Sequence, residues 1–463
     1  MIIERFFTPE LAQVAYAVGD REAAEVAIID PRRDIDEYLR WASGNHLRIV
    51  AVLETHVHAD FVSGAPELGR ATGAPVYASR LGEQEFDHIP VDDGTVIEVG
   101  AVRLTAIHTP GHTPEHIAWL AEDTRDPEGA PVLFSGDALF AGDVGRPDLL
   151  GRERTQELVD ALYDTVTNVF KTMPDDTVVY PGHTAGSSCG KNIGSAPYTR
   201  IGLEKAMNYA FKPETREAFA EAVMSGMPDP PAYYPHLKKV NARGATPPDM
   251  LDDVASLSVE ELEDRLASGA LVVDVRAREA FAAGHIPGSV FVGTDGGFAE
   301  WMGWFAPYDR DVVLVAADAG QAGEALTMLR RIGIDRVSGY FAGLERWGES
   351  GRPLDSIEIA TPGGLEAELQ SGGSPVVLDV RSDDEFASGH IDGAVHLHLA
   401  RLIRGERPEI DRDAGVTVVC GSGYRSMIAA SLLKASGYGR VRNLDGGMNA
   451  WRELVAGEGS VAS

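Results

Sequence analysis

The stretch Thr55-His56-Val57-His58-Ala59-Asp60-Phe61 decides how the first half of the chain is read. Two histidines and an aspartate alternate on a short turn, as in a metal site, but the next position holds a phenylalanine, whose ring cannot bind an ion. Three further segments complete the pattern: Thr109-Pro110-Gly111-His112-Thr113, Ser135-Gly136-Asp137 and Tyr180-Pro181-Gly182-His183. Short apolar, β-branched runs at 26–30, 49–53, 102–107, 132–134 and 178–180 read as buried strands. The four segments each follow one of these runs. Loops at strand ends converge on one edge of a sheet, so residues distant in sequence can share a site. A two-metal hydrolase needs ligands for both ions. With Phe61 in place, what remains suits one metal with open positions.

The other bounds are broad. At 463 residues the chain exceeds one ordinary domain of ~100–200 residues, so about three are expected. Hydrophobic residues make up 44%, enough for real cores. The formal charge of −30 argues against nucleic acid or an anionic membrane as partner, since both need basic surface. The same charge repels anionic substrates, which therefore need local positive groups. No stretch approaches the ~20 apolar residues of a membrane span, and the start lacks the layout of a signal peptide. Two cysteines, Cys189 and Cys420, cannot make a disulfide framework, and a reducing cytoplasm is the expected setting.

Helical patterns lie around residues 34–43 and 154–171. Between residues 200 and 255 prolines at 228, 230, 231, 235, 247 and 248 suggest an irregular tail and linker. The remainder repeats itself. Leu271-Val272-Val273-Asp274-Val275-Arg276, with Gly284-His285-Ile286-Pro287-Gly288 following, recurs as Val377-Leu378-Asp379-Val380-Arg381 with Gly389-His390-Ile391-Asp392-Gly393. Both copies run on to a tryptophan, Trp347 and Trp451, as small α/β domains would.

The histidine and aspartate segments resemble the metallo-β-lactamase superfamily over roughly residues 1–240, and within it the persulfide dioxygenase branch. The resemblance implies an αββα sandwich holding one Fe(II) per chain on His56, His112 and Asp137, with no organic cofactor. Two histidines and a carboxylate leave three positions for substrate and O2, although the ligand types alone also permit Zn or Mn. His58, Asp60 and His183 are expected to orient ligands and water by hydrogen bonds. Gly145-Arg146-Pro147-Asp148 resembles a branch motif, making Arg146 a candidate for substrate binding or for supporting the ligands from behind. Cys189, in Gly186-Ser187-Ser188-Cys189-Gly190-Lys191, is either a buried structural thiol or a sulfur-handling group, with Lys191 favouring its thiolate.

In the second repeat Cys420-Gly421-Ser422-Gly423-Tyr424-Arg425-Ser426 resembles the rhodanese active loop. Backbone N–H groups of a glycine-rich loop opening a helix can surround the sulfur and stabilise a thiolate or persulfide, and Arg425 can draw in sulfite or thiosulfate. The spacing is also close to that of cysteine phosphatases, whose loop is one residue longer. In the first repeat the cysteine position is Ala316 and the arginine position Gln321, so it is read as an inactive rhodanese-like domain, a spacer or docking surface. Trp301, Trp304 and Tyr308 are read as core or interface.

The whole is therefore expected to be an α/β multidomain chain: a metallo-β-lactamase-fold persulfide dioxygenase domain at 1–240, a linker at 241–255, an inactive rhodanese-like domain at 256–355 and an active rhodanese domain at 360–463. The expected chemistry is oxidation of a small thiol persulfide by O2 to sulfite, coupled through Cys420 to making or using thiosulfate. The inactive repeat is a candidate interface for a homo-oligomer. Two alternatives stay open: a zinc-dependent thioester hydrolase, and a non-catalytic sulfane-sulfur carrier.

Overall fold

The structure, a computed structural model, describes residues 1–372 and 375–459. Residues 460–463, assigned above to the last domain, lie outside the described residues. Two contact-dense units divide the chain near Leu251.

Strand Gln13–Asp20 is buried along its whole length, which happens only when both faces of a sheet are covered. Its side chains alternate between two cores, as a period of two requires. Val14, Tyr16 and Val18 enter one with Leu104, Trp119 and Phe134, while Ala15 and Ala17 enter another with Tyr38, Ala42 and Leu68. The first core lies between two six-stranded sheets. One sheet pairs Ile2–Thr8, Gln13–Asp20, Glu25–Ile29, Arg48–Leu53, Val76–Ser79 and Ile89–Val91 in chain order. The other runs Thr199–Arg200, Val178–Pro181, Val132–Gly136, Ile117–Asp123, Val102–His108 and Val96–Val99. Helices Asp36–Gly44 and Ala65–Thr72 cover the outside of the first sheet. Arg152–Asp164 and Arg216–Met224 cover the outside of the second, through Leu162, Val159 and Phe219 packed on Leu133 and Val179. The layering is helix, sheet, sheet, helix.

Close packing fixes one metal-site loop. Gly111 has φ 147°, and a Cβ there would lie 2.5 Å from the Leu162 side chain, so only glycine lets this helix sit against the loop. Thr165, in the π-turn Thr165–Val169 that follows the helix, donates to the Pro110 carbonyl at 2.7 Å.

The segment from residue 200 onward is irregular only in part. It contains helices Ile201–Met207, Arg216–Met224 and Tyr234–Arg243. Pro235 stands in the first turn of the last of these, where its missing N–H breaks no helical bond. The boundary expected at residue 240 falls inside this helix, and Asn241 is buried.

The second unit holds two parallel sheets. The first is ordered Val290–Phe291, Leu271–Asp274, Val312–Ala316, Val337–Ala342. The second is ordered Val395–His396, Val376–Asp379, Val416–Val419, Val441–Leu444, with Glu358–Ala360 added at the edge. Apart from that edge strand the two orders are the same, which is what an internal repeat demands. Within this unit the repeats touch: Phe291 N donates to Ser431 Oγ at 3.0 Å, and the Arg404 guanidinium lies 5.3 Å from the ring centre of buried Trp304. Among the described residues no helix is long and apolar enough to cross a membrane.

Candidate metal centre and sulfur-transfer loop

His56 leaves strand Arg48–Leu53, His112 leaves Val102–His108, and Asp137 leaves Val132–Gly136. One ligand atom from each lies within 4.8 Å of the others. Asp137 Oδ2 is 3.5 Å from His112 Nε2 and 3.9 Å from His56 Nε2. These three buried atoms have no hydrogen-bond partner, while the opposite atom of each side chain is held. His112 Nδ1 donates to the Arg146 carbonyl at 3.0 Å. His56 Nδ1 donates to Thr55 Oγ1 at 2.9 Å, whose own proton goes to Asp30 Oδ2 at 2.8 Å. Both imidazoles thus turn an Nε2 lone pair inward. Burial, with positive neighbours, drives the pKa of His56 and His112 well below the ordinary histidine value, so both are neutral ligands. Leaving three such atoms bare would cost about 1–3 kcal/mol each. The donor set fits one divalent metal.

Asp137 Oδ1 accepts from His183 Nδ1 at 2.7 Å, and His183 Nε2 donates to Asp60 Oδ2 at 2.7 Å. Although burial opposes it, Asp137 and Asp60 hold His183 well above the ordinary histidine pKa. Both of its ring nitrogens are thus engaged by carboxylates. His58 does not join the triad; its Nε2 lies 3.2 Å from Asp30 Oδ1. Against the pull of burial, Asp30 and Glu54 raise it to about 9. The Phe61 ring, fully buried, packs 4.3 Å from the His58 ring.

His116 is a site residue that the motifs did not flag. It stacks on His56 (ring centres 5.0 Å apart, 24° between planes), and its Nε2 accepts from the Asp137 N–H at 3.0 Å. Its Nδ1 donates to Thr109 Oγ1 at 2.8 Å, and burial drops its pKa to about 3. The only available signal was a second histidine four residues after His112. Tyr234, Lys238 and Asn241 were also missed, because their helix was read as an irregular tail of the first domain running into a linker.

Two expectations are corrected. Arg146 is buried, not presented to substrate. Its Nε and Nη2 bind Asp148 at 2.7 and 2.8 Å, its Nη1 donates to Ser188 O at 3.1 Å, and its Nη2 donates to Pro228 O at 2.6 Å. It orients His112 through its own carbonyl. Lys191 does not favour a Cys189 thiolate. Its Nζ bonds the Ala222 and Ser225 carbonyls and sits 4.3 Å from the Tyr209 ring centre. Cys189 is buried beside Asp60 and His183, with Sγ 3.7 Å from the Tyr234 hydroxyl. Burial, helped by Asp60 and Asp137, pushes its thiol pKa well up.

In the second repeat, strand Val416–Val419 delivers Cys420 to a loop that closes at Gly423 (φ 98°), the N-cap of helix Tyr424–Ala435. The buried sulfur accepts the Gly423 N–H at 3.1 Å and the Ser426 hydroxyl at 3.3 Å. Arg425 lies beside the loop; a Cβ on Gly421 would be 3.2 Å from its Nη2. It forms a two-pronged pair with Glu385 (2.7 and 2.8 Å), which holds Glu385 down to about 2. Gly421 and Ser422 complete the loop, and the Ser422 carbonyl accepts from Arg278 at 3.2 Å. The Tyr424 hydroxyl donates to Gly293 O of the first repeat at 2.6 Å. In that repeat Gln321 fills its own loop: Oε1 accepts Ala317 N at 2.9 Å and Nε2 donates to Val275 O at 3.0 Å.

Comparison with known proteins agrees with this architecture. The model of the metallo-beta-lactamase superfamily matches residues 9–183, and that of the rhodanese-like domain matches residues 258–350 and 361–454. Human mitochondrial persulfide dioxygenase ETHE1 is 30% identical over 187 residues, which are 40% of this chain and 68% of the human protein. A hydroxyacylglutathione hydrolase of Polaromonas sp. (strain JS666 / ATCC BAA-500) is 36% identical over 187 residues, 40% of this chain and 66% of that one. A metallo-beta-lactamase structure from Staphylococcus aureus subsp. aureus COL superposes with TM-score 0.66 at 32% identity, over 74% of this chain and 99% of that one. The chain belongs to the metallo-beta-lactamase superfamily and carries two rhodanese-like domains after the metallo-beta-lactamase domain.

Proposed function

We propose that the chain is a non-haem iron persulfide dioxygenase coupled to a sulfurtransferase. The observation that carries this reading is the single-metal donor set: three inward, partnerless ligand atoms, with His183 consumed between Asp60 and Asp137. Iron held by His56, His112 and Asp137 would supply the open positions at which O2 and a persulfide meet. The overall reaction balances as R–S–S⁻ + O2 + H2O giving R–SH, sulfite and a proton. The terminal sulfur loses four electrons and dioxygen gains them. His183 and His116 fix the Asp137 carboxylate, and Thr55 and the Arg146 carbonyl fix the imidazoles.

Cys420 carries the second step. As a persulfide, Cys–S–S⁻, it gives its outer sulfur to sulfite, and the S–S bond breaks to leave the Cys420 thiolate and thiosulfate. The Gly423 N–H and the Ser426 hydroxyl hold the negative sulfur throughout. Both sites on one chain raise the effective concentration of each intermediate for the other. In this scheme the first domain extends through helix Tyr234–Arg243, followed by the inactive and the active rhodanese-like domains. Soluble sulfur compounds are its partners.

The test is oxygen uptake by anaerobically iron-loaded protein given a small thiol persulfide, beside zinc-loaded and His112→Ala proteins. Uptake that needs both iron and His112 is expected. No uptake at verified iron occupancy, with several persulfides, would sink the reading. The hydrolase name of the Polaromonas relative favours a second reading, a thioester hydrolase, which turnover of a thioester without oxygen would support.

A further inference from the structure

An acidic chain that binds an anion needs a cation at the site, and the two expected there, Arg146 and Lys191, are committed elsewhere. Helix Tyr234–Arg243 supplies another. Tyr234, Lys238 and Asn241 lie within an arc of about 60° on it, at about 3.6 residues per turn. The two outer members fix where that face points. Tyr234 meets Cys189 Sγ. Asn241 donates to the His58 and Phe61 carbonyls at 2.8 and 2.7 Å and accepts from Ser63 N at 2.9 Å. Lys238 is thus held between Cys189 and the loop that carries His56.

Its Nζ is sealed from solvent and has no hydrogen-bond partner. The nearest carboxylate oxygen, Glu115 Oε1, is 3.8 Å away and already accepts from Val57 N at 3.1 Å. A buried amino group whose one ion-pair partner stands 3.8 Å off and is shared with a backbone N–H is costly unless an incoming group completes it.

We propose that Lys238 is the anion-binding residue of the metal pocket, and that its Nζ receives the negative end of a small sulfur anion, persulfide on entry and sulfite on exit. This deepens the dioxygenase reading, and rests on it for the identity of the anion. The position of the charge rests on the helix alone.

The test uses zinc-loaded full-length protein carrying Cys420→Ser, which removes the second sulfur site, and follows sulfite binding by calorimetry. Adding Lys238→Met is expected to weaken sulfite binding at least about tenfold, as for loss of a charge-assisted hydrogen bond. Lys238→Arg should restore part of it, and zinc content should not fall in either. Binding that is unchanged in Lys238→Met, or absent in the parent, overturns the proposal. In iron-loaded protein with Cys420 intact, Lys238→Met should raise KM for persulfide more than it lowers kcat. Lys238-dependent sulfite binding without any oxygen uptake would remove the dioxygenase reading and leave the anion site standing.

Discussion

The two rhodanese-like repeats share a skeleton and differ in what it displays. In the first, Arg276 clasps Asp274 (2.9 and 2.7 Å) and the Gly284 carbonyl (2.8 Å). In the second, Arg381 clasps Asp379 (3.0 and 2.6 Å) and the Gly389 carbonyl (2.9 Å). His285 stacks on Phe281 at 3.9 Å, and His390 on Phe386 at 3.8 Å. The loops then part. Cys420, Arg425 and Glu385 in one become Ala316, Gln321 and Ala280 in the other. Where the live loop turns N–H and O–H toward a sulfur, the silent one turns its own amide side chain onto its backbone. The clasp is therefore kept in both repeats while the cysteine loop is present in one.

That separation can be attacked directly. Cys420→Ser should lower sulfur transfer from thiosulfate to cyanide by roughly a thousandfold or more, measured as thiocyanate formed. Adding Ala316→Cys to that variant should restore none of it. Restored transfer would show that the silent loop lacks only its nucleophile.

The clasps should matter equally. Arg276→Met and Arg381→Met each leave a buried carboxylate without its partner, and each should lose about 3–5 kcal/mol in denaturant unfolding of its own repeat. A loss confined to one repeat would break the equivalence.

The smallest effect concerns acid. Glu385 is partly exposed and held from 4.5 down to about 2 by Arg425. A depressed carboxylate stabilises above its ordinary pKa and loses that contribution as pH falls through the folded value. The stability gap between the wild type and Glu385→Gln should be full near pH 6 and close between about 4.5 and 2. A gap that persists below pH 2 would mean that the pair does not act through its charge.

Local signals in the sequence carried a good deal of this. Apolar runs ending in His56, His112, Asp137 and His183 put those residues on loops at strand ends, and the structure draws them together. The Cys420 loop was legible because its parts are contiguous. What escaped depends on distant packing. Whether Arg146 faces a ligand is settled by carbonyls at 188 and 228, and nothing near residue 146 encodes that. His116 is informative only through a stack against His56. The helix bearing Lys238 was hidden by Pro235, which reads as a breaker in isolation and is harmless in a first turn.

Asn241 ties its amide to carbonyls at residues 58 and 61, across 183 and 180 positions of chain. During synthesis, the turn presenting His56 can therefore take its final form only after the ribosome has passed residue 241. Contacts of such long range form late and slowly. A nascent chain exposes these histidines before it can arrange them, so selective metal capture belongs to the completed domain.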